Sequence, residues 1–260
     1  MRRTMCWIVG SGLTLGAVST AATAPAVRSP VQHGSSEALD ILKRAEAALT
    51  KVEQVSYRGT FKGTGWVAKL VPKVEGTAVV GSPSEWDIIR FRAEVKLTPS
   101  DSSETLEFSV GSDGDLFFLV DPKTKTAYED MDPAVLGKRA RDLQRLVMRE
   151  FVSPHPFGEK LKPDTLELKG TETVGGVECH KILIKGDGTN GDPDRILLIA
   201  RKDLLPRGIR RLYAPRTDAD GAPGTTELMV TDLKVNPKFA QNPFKLVLPP
   251  GFTKTDEFAP

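Results

Sequence analysis

Beyond residue 54 the hydrophobic period of this chain is two, and that period constrains the fold more than any other feature. Val55, Tyr57, Gly59 and Phe61 alternate with Ser56, Arg58, Thr60 and Lys62; Ile89, Phe91, Ala93, Val95 and Leu97 alternate with Arg90, Arg92, Glu94 and Lys96; Leu106, Phe108 and Val110 alternate with Glu107 and Ser109. Neighbouring side chains of a strand point to opposite faces, so each run is a strand with one dry face and one wet face. Turn chemistry separates the runs. Ser112-Asp113-Gly114-Asp115 and Asp121-Pro122-Lys123 flank the apolar run Leu116 to Val120, and Gly175-Gly176 joins Leu166–Val174 to Val177–Lys185 as a two-residue hairpin. Asp192-Pro193 precedes a strand with the core Ile196-Leu197-Leu198-Ile199; Asp203 to Pro206 turns the chain into Gly208–Tyr213; the loop Asp218 to Gly224 leads into Thr226–Val235. Consecutive hairpins of this kind make one large, curved antiparallel sheet.

Two helices interrupt the pattern. Ser35 or Ser36 caps the first, in which Ala38, Leu42, Ala45, Leu49 and Val52 recur at spacings of four and three, with Lys43, Arg44 and Glu46 mostly on the other side. Asp132-Pro133 supplies the cap and first-turn proline of the second. Leu136, Ala140, Leu143 and Val147 form its apolar side, and Lys138, Arg139, Arg141, Arg145 and Arg149 its basic side. The fold class is therefore α+β, mostly β. Two short helices are too few to seal the dry face of so large a sheet, so the expectation is an apolar groove.

The chain opens with Arg2-Arg3, an apolar small-residue stretch from Met5 to Val18, and Ala22-Thr23-Ala24-Pro25-Ala26. This is the layout of a secretory signal over residues 1–26, with cleavage after Ala26 or, less favourably because of Pro25, after Ala24. The apolar stretch is too short and too rich in Gly, Ser and Thr to cross about 30 Å of hydrocarbon. Residues 27–34 read as a flexible leader and 35–258 as a single domain in a periplasmic, extracytoplasmic setting. Removal of the signal takes Cys6 with it and leaves Cys179 alone, so no intrachain disulfide forms. Across the chain 36 Lys and Arg face 34 Asp and Glu. Loss of Arg2 and Arg3 brings the two signs level, which leaves no electrostatic footprint for nucleic acid.

Reactive chemistry is scarce. The 3 His and 2 Cys are scattered. Cys179 and His180 are adjacent on a strand and point to opposite faces, so they cannot work as a nucleophile–base pair. His155 lies between two prolines in a loop, and His33 lies in the leader. Gly186 to Asp192 and Asp218 to Gly221 are acidic and glycine-rich but lack the ligand spacing and closing Glu of a calcium loop. No cofactor, metal or catalytic residue is expected. A hydrolase built from distant carboxylates is the one enzymatic reading the sequence leaves open.

Several short segments, in order along the chain, resemble the periplasmic lipoprotein-carrier superfamily of LolA/LolB-like fold and exported bacterial proteins related to it. They are the first helix running into Val55-Ser56-Tyr57-Arg58-Gly59-Thr60-Phe61, Ser112-Asp113-Gly114-Asp115-Leu116-Phe117-Phe118 followed by Asp121-Pro122, Lys202-Asp203-Leu204-Leu205-Pro206-Arg207, and Phe244-Lys245-Leu246-Val247-Leu248-Pro249-Pro250-Gly251-Phe252. The resemblance implies an unclosed half-barrel covered by two or three helices that holds acyl chains in its concavity. There is a departure: the carriers place an Arg before a Pro in the second strand region, and Ser82 precedes Pro83 here.

These readings converge on an exported, non-enzymatic protein that holds acyl chains or a lipidated, apolar cargo, with lipoprotein or lipid transfer across the envelope as the implied role. The alternative is an envelope-stress or regulatory sensor module that binds a partner protein. The expected groove residues are Tyr57, Phe61, Trp66, Trp86, Ile89, Phe91, Val95, Phe108, Phe118, Ile182, Ile184, Leu198, Leu212, Leu228 and Val230. Lys138, Arg141, Arg145 and Arg149 form the expected docking face for a partner or for anionic headgroups in peripheral membrane contact.

Overall fold

The structure, a computed structural model, describes residues 31–85, 87–132, 141–158, 162–186, 193–216 and 221–255. A helix, α1 (Val31–Leu49), is followed by β1 (Gln54–Thr64), β2 (Lys73–Pro83), β3 (Ile89–Thr98), β4 (Leu106–Ser112), β5 (Phe117–Asp121) and β6 (Thr126–Asp130). After the segment 141–158 come β7 (Leu166–Val174), β8 (Val177–Ile184), β9 (Asp194–Ala200), β10 (Pro206–Tyr213), β11 (Gly224–Val235) and the short β12 (Thr253–Thr255). All twelve strands belong to one sheet, in the order β12-β6-β5-β4-β3-β2-β1-β11-β10-β9-β8-β7. Every pairing is antiparallel except that of β12 with β6. The edges β12 and β7 do not pair, so the sheet remains the unclosed half-barrel that the resemblance implied.

The hairpin at Gly175-Gly176 has both residues at positive φ (54° and 82°), as a two-residue turn matched to strand twist requires. Helix α1 packs across β7. The apolar stripe read from its sequence is the buried one: Ala38, Leu42, Ala45, Leu49 and the following Val52 are all buried. The helix itself begins at Val31, inside the stretch read as a leader, directly after Pro30.

The second helix departs from expectation. Residues 133–140, with the first-turn Pro133, Leu136, Lys138, Arg139 and Ala140, lie outside the described residues, while the proposed cap Asp132 is exposed with its N–H bonded to Asp130 Oδ1 at 2.8 Å. Residues 141–143 are helical, but the chain then tightens into a 3-10 turn at Gln144–Leu146 and becomes extended at Val147 and Met148 before a second 3-10 turn at Arg149–Phe151. A helical side through Val147 and Arg149 therefore does not form.

The Asp203–Arg207 motif has a local physical reason. The tight turn places Leu204 at φ 60°, Asp203 Oδ1 accepts the Leu205 N–H at 3.0 Å, and Oδ2 accepts from Arg207 Nη2 at 2.5 Å. Arg207 is buried and donates further to the carbonyls of Leu205 and Pro206 at 3.2 and 3.3 Å. Removing one partner of such a pair strands a charge away from water. We expect Asp203→Ala to lower the unfolding free energy by about 2 kcal/mol in urea denaturation. A change below about 0.5 kcal/mol, the level of an ordinary surface substitution, would contradict this account.

A concave face closed by the chain's own side chains

Register assigns each strand residue to a face. Tyr57 and Ala78, Phe61 and Val74, Phe61 and Leu228, and Ile209 and Leu197 are cross-strand partners on the concave side. Tyr57, Phe61, Phe91, Val95, Phe108, Ile182, Ile184, Leu228 and Val230 all lie there, buried in one cluster, with Ile89 half-buried against it. The structure brings these ten predicted residues together as one surface.

That surface is not an open groove. Ala38, Ile41, Leu42, Ala45 and Leu49 of α1 cover part of it, and Leu143, Leu146, Met148, Phe151 and Phe157 cover another part, each of these five at most 1% exposed. The expectation of an incompletely sealed face is corrected here. The path of 144–158, which leaves the α-helix after Leu143, supplies side chains that a short helix could not have placed. Its anchor is Tyr57. The phenol donates to the Leu146 carbonyl at 2.6 Å and accepts the Met148 N–H at 2.9 Å, and its ring lies 5.6 Å from that of Phe151. Burial holds the phenol well above the ordinary tyrosine range, outweighing the lowering by the Met148 N–H. Gly59, two residues along β1, leaves room for Leu146, whose Cδ2 lies 3.2 Å from where a Cβ would stand.

Three predicted groove residues face the other way. Phe118 packs on the convex side with Val120 and Ala127 beneath Leu246 and Phe252. Leu198 is buried in a convex cluster with Cys179, Leu183 and Ile196, and Leu212 packs against that cluster. Trp66 sits in the 3-10 turn Gly65–Lys69 at the strand ends. It is edge-on to Tyr213 (5.8 Å) and bonded through Nε1 to the Ala214 carbonyl at 3.2 Å, with the Arg216 guanidinium 4.9 Å from its ring. Trp86 and Lys138 lie outside the described residues. Of the proposed docking face, Arg141 and Arg149 are exposed. Arg145 is turned inward, 5.1 Å over the Phe61 ring, bonded to Asp142 at 3.5 Å, with its Nε buried and unbonded.

The same cover carries an acid that the sequence did not single out. Glu150 is half-buried, and desolvation holds its carboxyl above the ordinary range, against the lowering pull of its own backbone N–H and of Arg211, Arg195 and Arg149. Arg195 and Arg211 are direct cross-strand partners. Their neighbours fix the side: Ile184 pairs with Arg195 and belongs to the concave core, whereas Arg210 bonds Glu172 and Glu227 on the convex face.

Two cavities flank the closed face. One, of about 580 Å³, opens between the end of α1, Ser82-Pro83 and residues 151–156 of the cover. The other, of about 520 Å³, lies on the convex side between Arg58, Arg92 and Lys96 and the apolar Val247, Pro249 and Phe252. Its floor is internally neutralised, Arg92 with Glu94 at 2.9 Å and Lys96 with Glu107 at 3.0 Å.

Among the described residues no three His, Cys, Asp or Glu side chains gather as a metal site, and no helix is long and apolar enough to cross a membrane. His155 is exposed in its loop, and His180 is half-buried on the concave side with its pKa lowered by burial. The glycine-rich acidic loops 187–192 and 217–220 lie outside the described residues.

No protein-family model and no curated protein sequence matches the chain. Solved structures do. LprF from Mycobacterium bovis superposes with a TM-score of 0.50 at 10% identity over 81% of this chain and 98% of that one. An uncharacterized conserved protein from Thermus thermophilus gives 0.46 at 12% over 84% and 98%, and the lipoprotein LppX from Mycobacterium tuberculosis 0.44 at 15% over 79% and 99%. The likeness to LprF shows the fold alone, an open antiparallel half-barrel of LolA-like form.

Cys179 offers a check on the assigned faces. It is fully buried, and desolvation pushes its thiol up to about 11. At pH 8, in the chain without residues 1–26, we expect no reaction of Cys179 with a disulfide exchange reagent over an hour when folded and stoichiometric reaction after denaturation. Rapid labelling of the native state would overturn the convex packing described.

Proposed function

We propose that this is an exported, non-enzymatic binding protein whose concave face holds an apolar chain, taken up when segment 141–158 gives way. One observation carries the proposal: the apolar concave face is covered by a non-helical strap that is fastened by the Tyr57 hydroxyl rather than by a second sheet. Magnitudes favour exchange. Burial of Leu143, Leu146, Met148, Phe151 and Phe157 contributes roughly 1.5–3 kcal/mol each, on the order of 10 kcal/mol together. A 16-carbon chain in the same space contributes on the order of 12 kcal/mol, at about 0.8 kcal/mol per buried CH₂. The two occupants are therefore matched in scale, and neither excludes the other outright. The secretory layout of residues 1–26 and the half-barrel fold support an envelope location, and residues 35–258 fit a single domain. The alternative, a partner-binding sensor, is supported by the fold as well and drew its docking face from a basic helical side. With Arg145 turned inward and the helix ended before Val147, that side is reduced to Arg141 and Arg149 among the described residues.

Tyr57→Phe is the informative variant, because it keeps the ring and removes both strap hydrogen bonds. Leaving a buried carbonyl and amide unpaired lowers stability by about 1–3 kcal/mol. The strap opens more readily by the same cause, so the affinity for a neutral fluorescent apolar probe rises several-fold. If neither the native protein nor Tyr57→Phe binds the probe, the concave-face reading is wrong. The raised phenol pKa has a further consequence. The unfolded chain ionises Tyr57 near pH 10 and the folded one does not, so stability falls as pH climbs beyond that value. A pH melt of Tyr57→Phe should lack that part of the alkaline loss.

A further inference from the structure

The concave face is apolar along most of its length, yet two arginines stand opposite each other on adjacent strands beneath the strap. Arg195 on β9 and Arg211 on β10 are direct partners. Like charges so placed are destabilising unless an anion stands between them. On the convex face the neighbouring Arg210 satisfies that need with Glu172 at 3.0 Å and Glu227 at 3.1 Å. Among the described residues, Arg195 and Arg211 make no ion pair of 4 Å or less. Glu150 of the strap feels both of them, and its neighbours in sequence, Met148 and Phe151, fill the apolar space. The Arg195 head also lies under the strap, its Nη2 3.9 Å from where a Gly158 Cβ would stand. The strap thus has the form of a ligand: apolar side chains on the dry face and a carboxylate within electrostatic reach of an arginine pair.

Resting on the concave-face reading, we propose that the site takes an anionic amphiphile, an apolar chain with a carboxylate or phosphate head, and that Arg195 and Arg211 receive the head in place of Glu150. Fixed cations in a partly dehydrated cleft recognise an anion more strongly than water-exposed ones, and paired guanidinium forks match the geometry of carboxylate and phosphate oxygens. A neutral amphiphile of equal length leaves the arginines facing each other and forfeits that gain.

The test is competition by oleic acid, oleyl phosphate and oleyl alcohol against a neutral fluorescent probe bound to the full mature chain at pH 8. Each variant is compared through its own anion-to-alcohol affinity ratio. The native protein should prefer at least one anion over the alcohol tenfold or more. A preference for the acid alone assigns a carboxylate head; a preference for both anions shows that charge alone is read. Arg195→Gln and Arg211→Gln should each cut the ratio to threefold or less, Arg211→Lys should keep most of it, and Glu150→Gln should raise it by removing the internal competitor. Equal affinity for all three compounds, or a preference that survives in the Arg195→Gln/Arg211→Gln double variant, overturns the inference. Alcohol binding in that case leaves the concave-face reading standing. Failure of every compound, the alcohol included, removes that reading and this inference with it.

Discussion

A single buried hydroxyl organises the covered face. Tyr57 stands on β1 at the middle of the sheet and is joined by its OH to two backbone groups of the strap, the Leu146 carbonyl and the Met148 amide. Both groups belong to a stretch that has left helical geometry and has no other regular partner. A backbone polar group that is buried must be paired, or it costs free energy comparable to a lost hydrogen bond. The hydroxyl meets both needs at once, with one donor and one acceptor function. The strap's apolar side chains then fall where they fill the concavity, Leu146 over the gap left by Gly59 and Phe151 against the Tyr57 ring. Packing supplies most of the stabilisation, and the hydrogen bonds set its position.

The strand pattern and the first helix were legible in the sequence because both obey a period. Where a strand has one wet face, alternation identifies the dry residues, and Tyr57, Phe61, Phe91 and Val95 fall where the pattern put them. Legibility fails where both faces are dry. β9 buries Ile196, Leu198 and Ala200 on one side and Leu197 and Ile199 on the other, and β5 divides Phe118 and Val120 from Leu119. A continuous apolar run carries no phase, so the faces of Leu198 and Phe118 can be assigned only from register with a neighbour. Leu212 is a different case: two successive arginines interrupt the alternation after Ile209 and put Leu212, three residues on, on the face opposite to Ile209.

The strap was not legible for a different reason. Leu146, Met148, Phe151 and Phe157 follow no helical or strand period, because their segment alternates 3-10 turns with extended residues. The helical reading of Leu143, Val147, Arg145 and Arg149 captured the buried Leu143 but misplaced Arg145, whose long apolar stem lies along the concave face with its guanidinium over Phe61. Arginine tolerates such a position better than lysine, since its planar, weakly hydrated head stacks on an aromatic ring. Counting basic residues on a projected helix overlooks that option.

The two faces of the sheet also differ in how they treat charge, and the contrast bears on what the concave face is built for. On the convex side Glu172 receives both Arg210 and Lys181, and Glu227 receives both Arg210 and Lys62, at distances of 3.0–3.1 Å. The result is a network in which cations alternate with anions, and the Glu172 carboxyl is held below its ordinary range chiefly by Arg210. One residue further along β10 the same side-chain type faces the other way and meets another arginine. Folding alone does not require this, since an apolar partner for Arg195 would extend the core formed by Ile184 and Ile209. The carboxylate whose electrostatics involve both arginines, that of Glu150, lies on the strap. A fold that needed the charge only for stability would place its counter-ion on the sheet, as it does for Arg210. Placing it on the strap couples the position of the strap to the occupancy of an anion site.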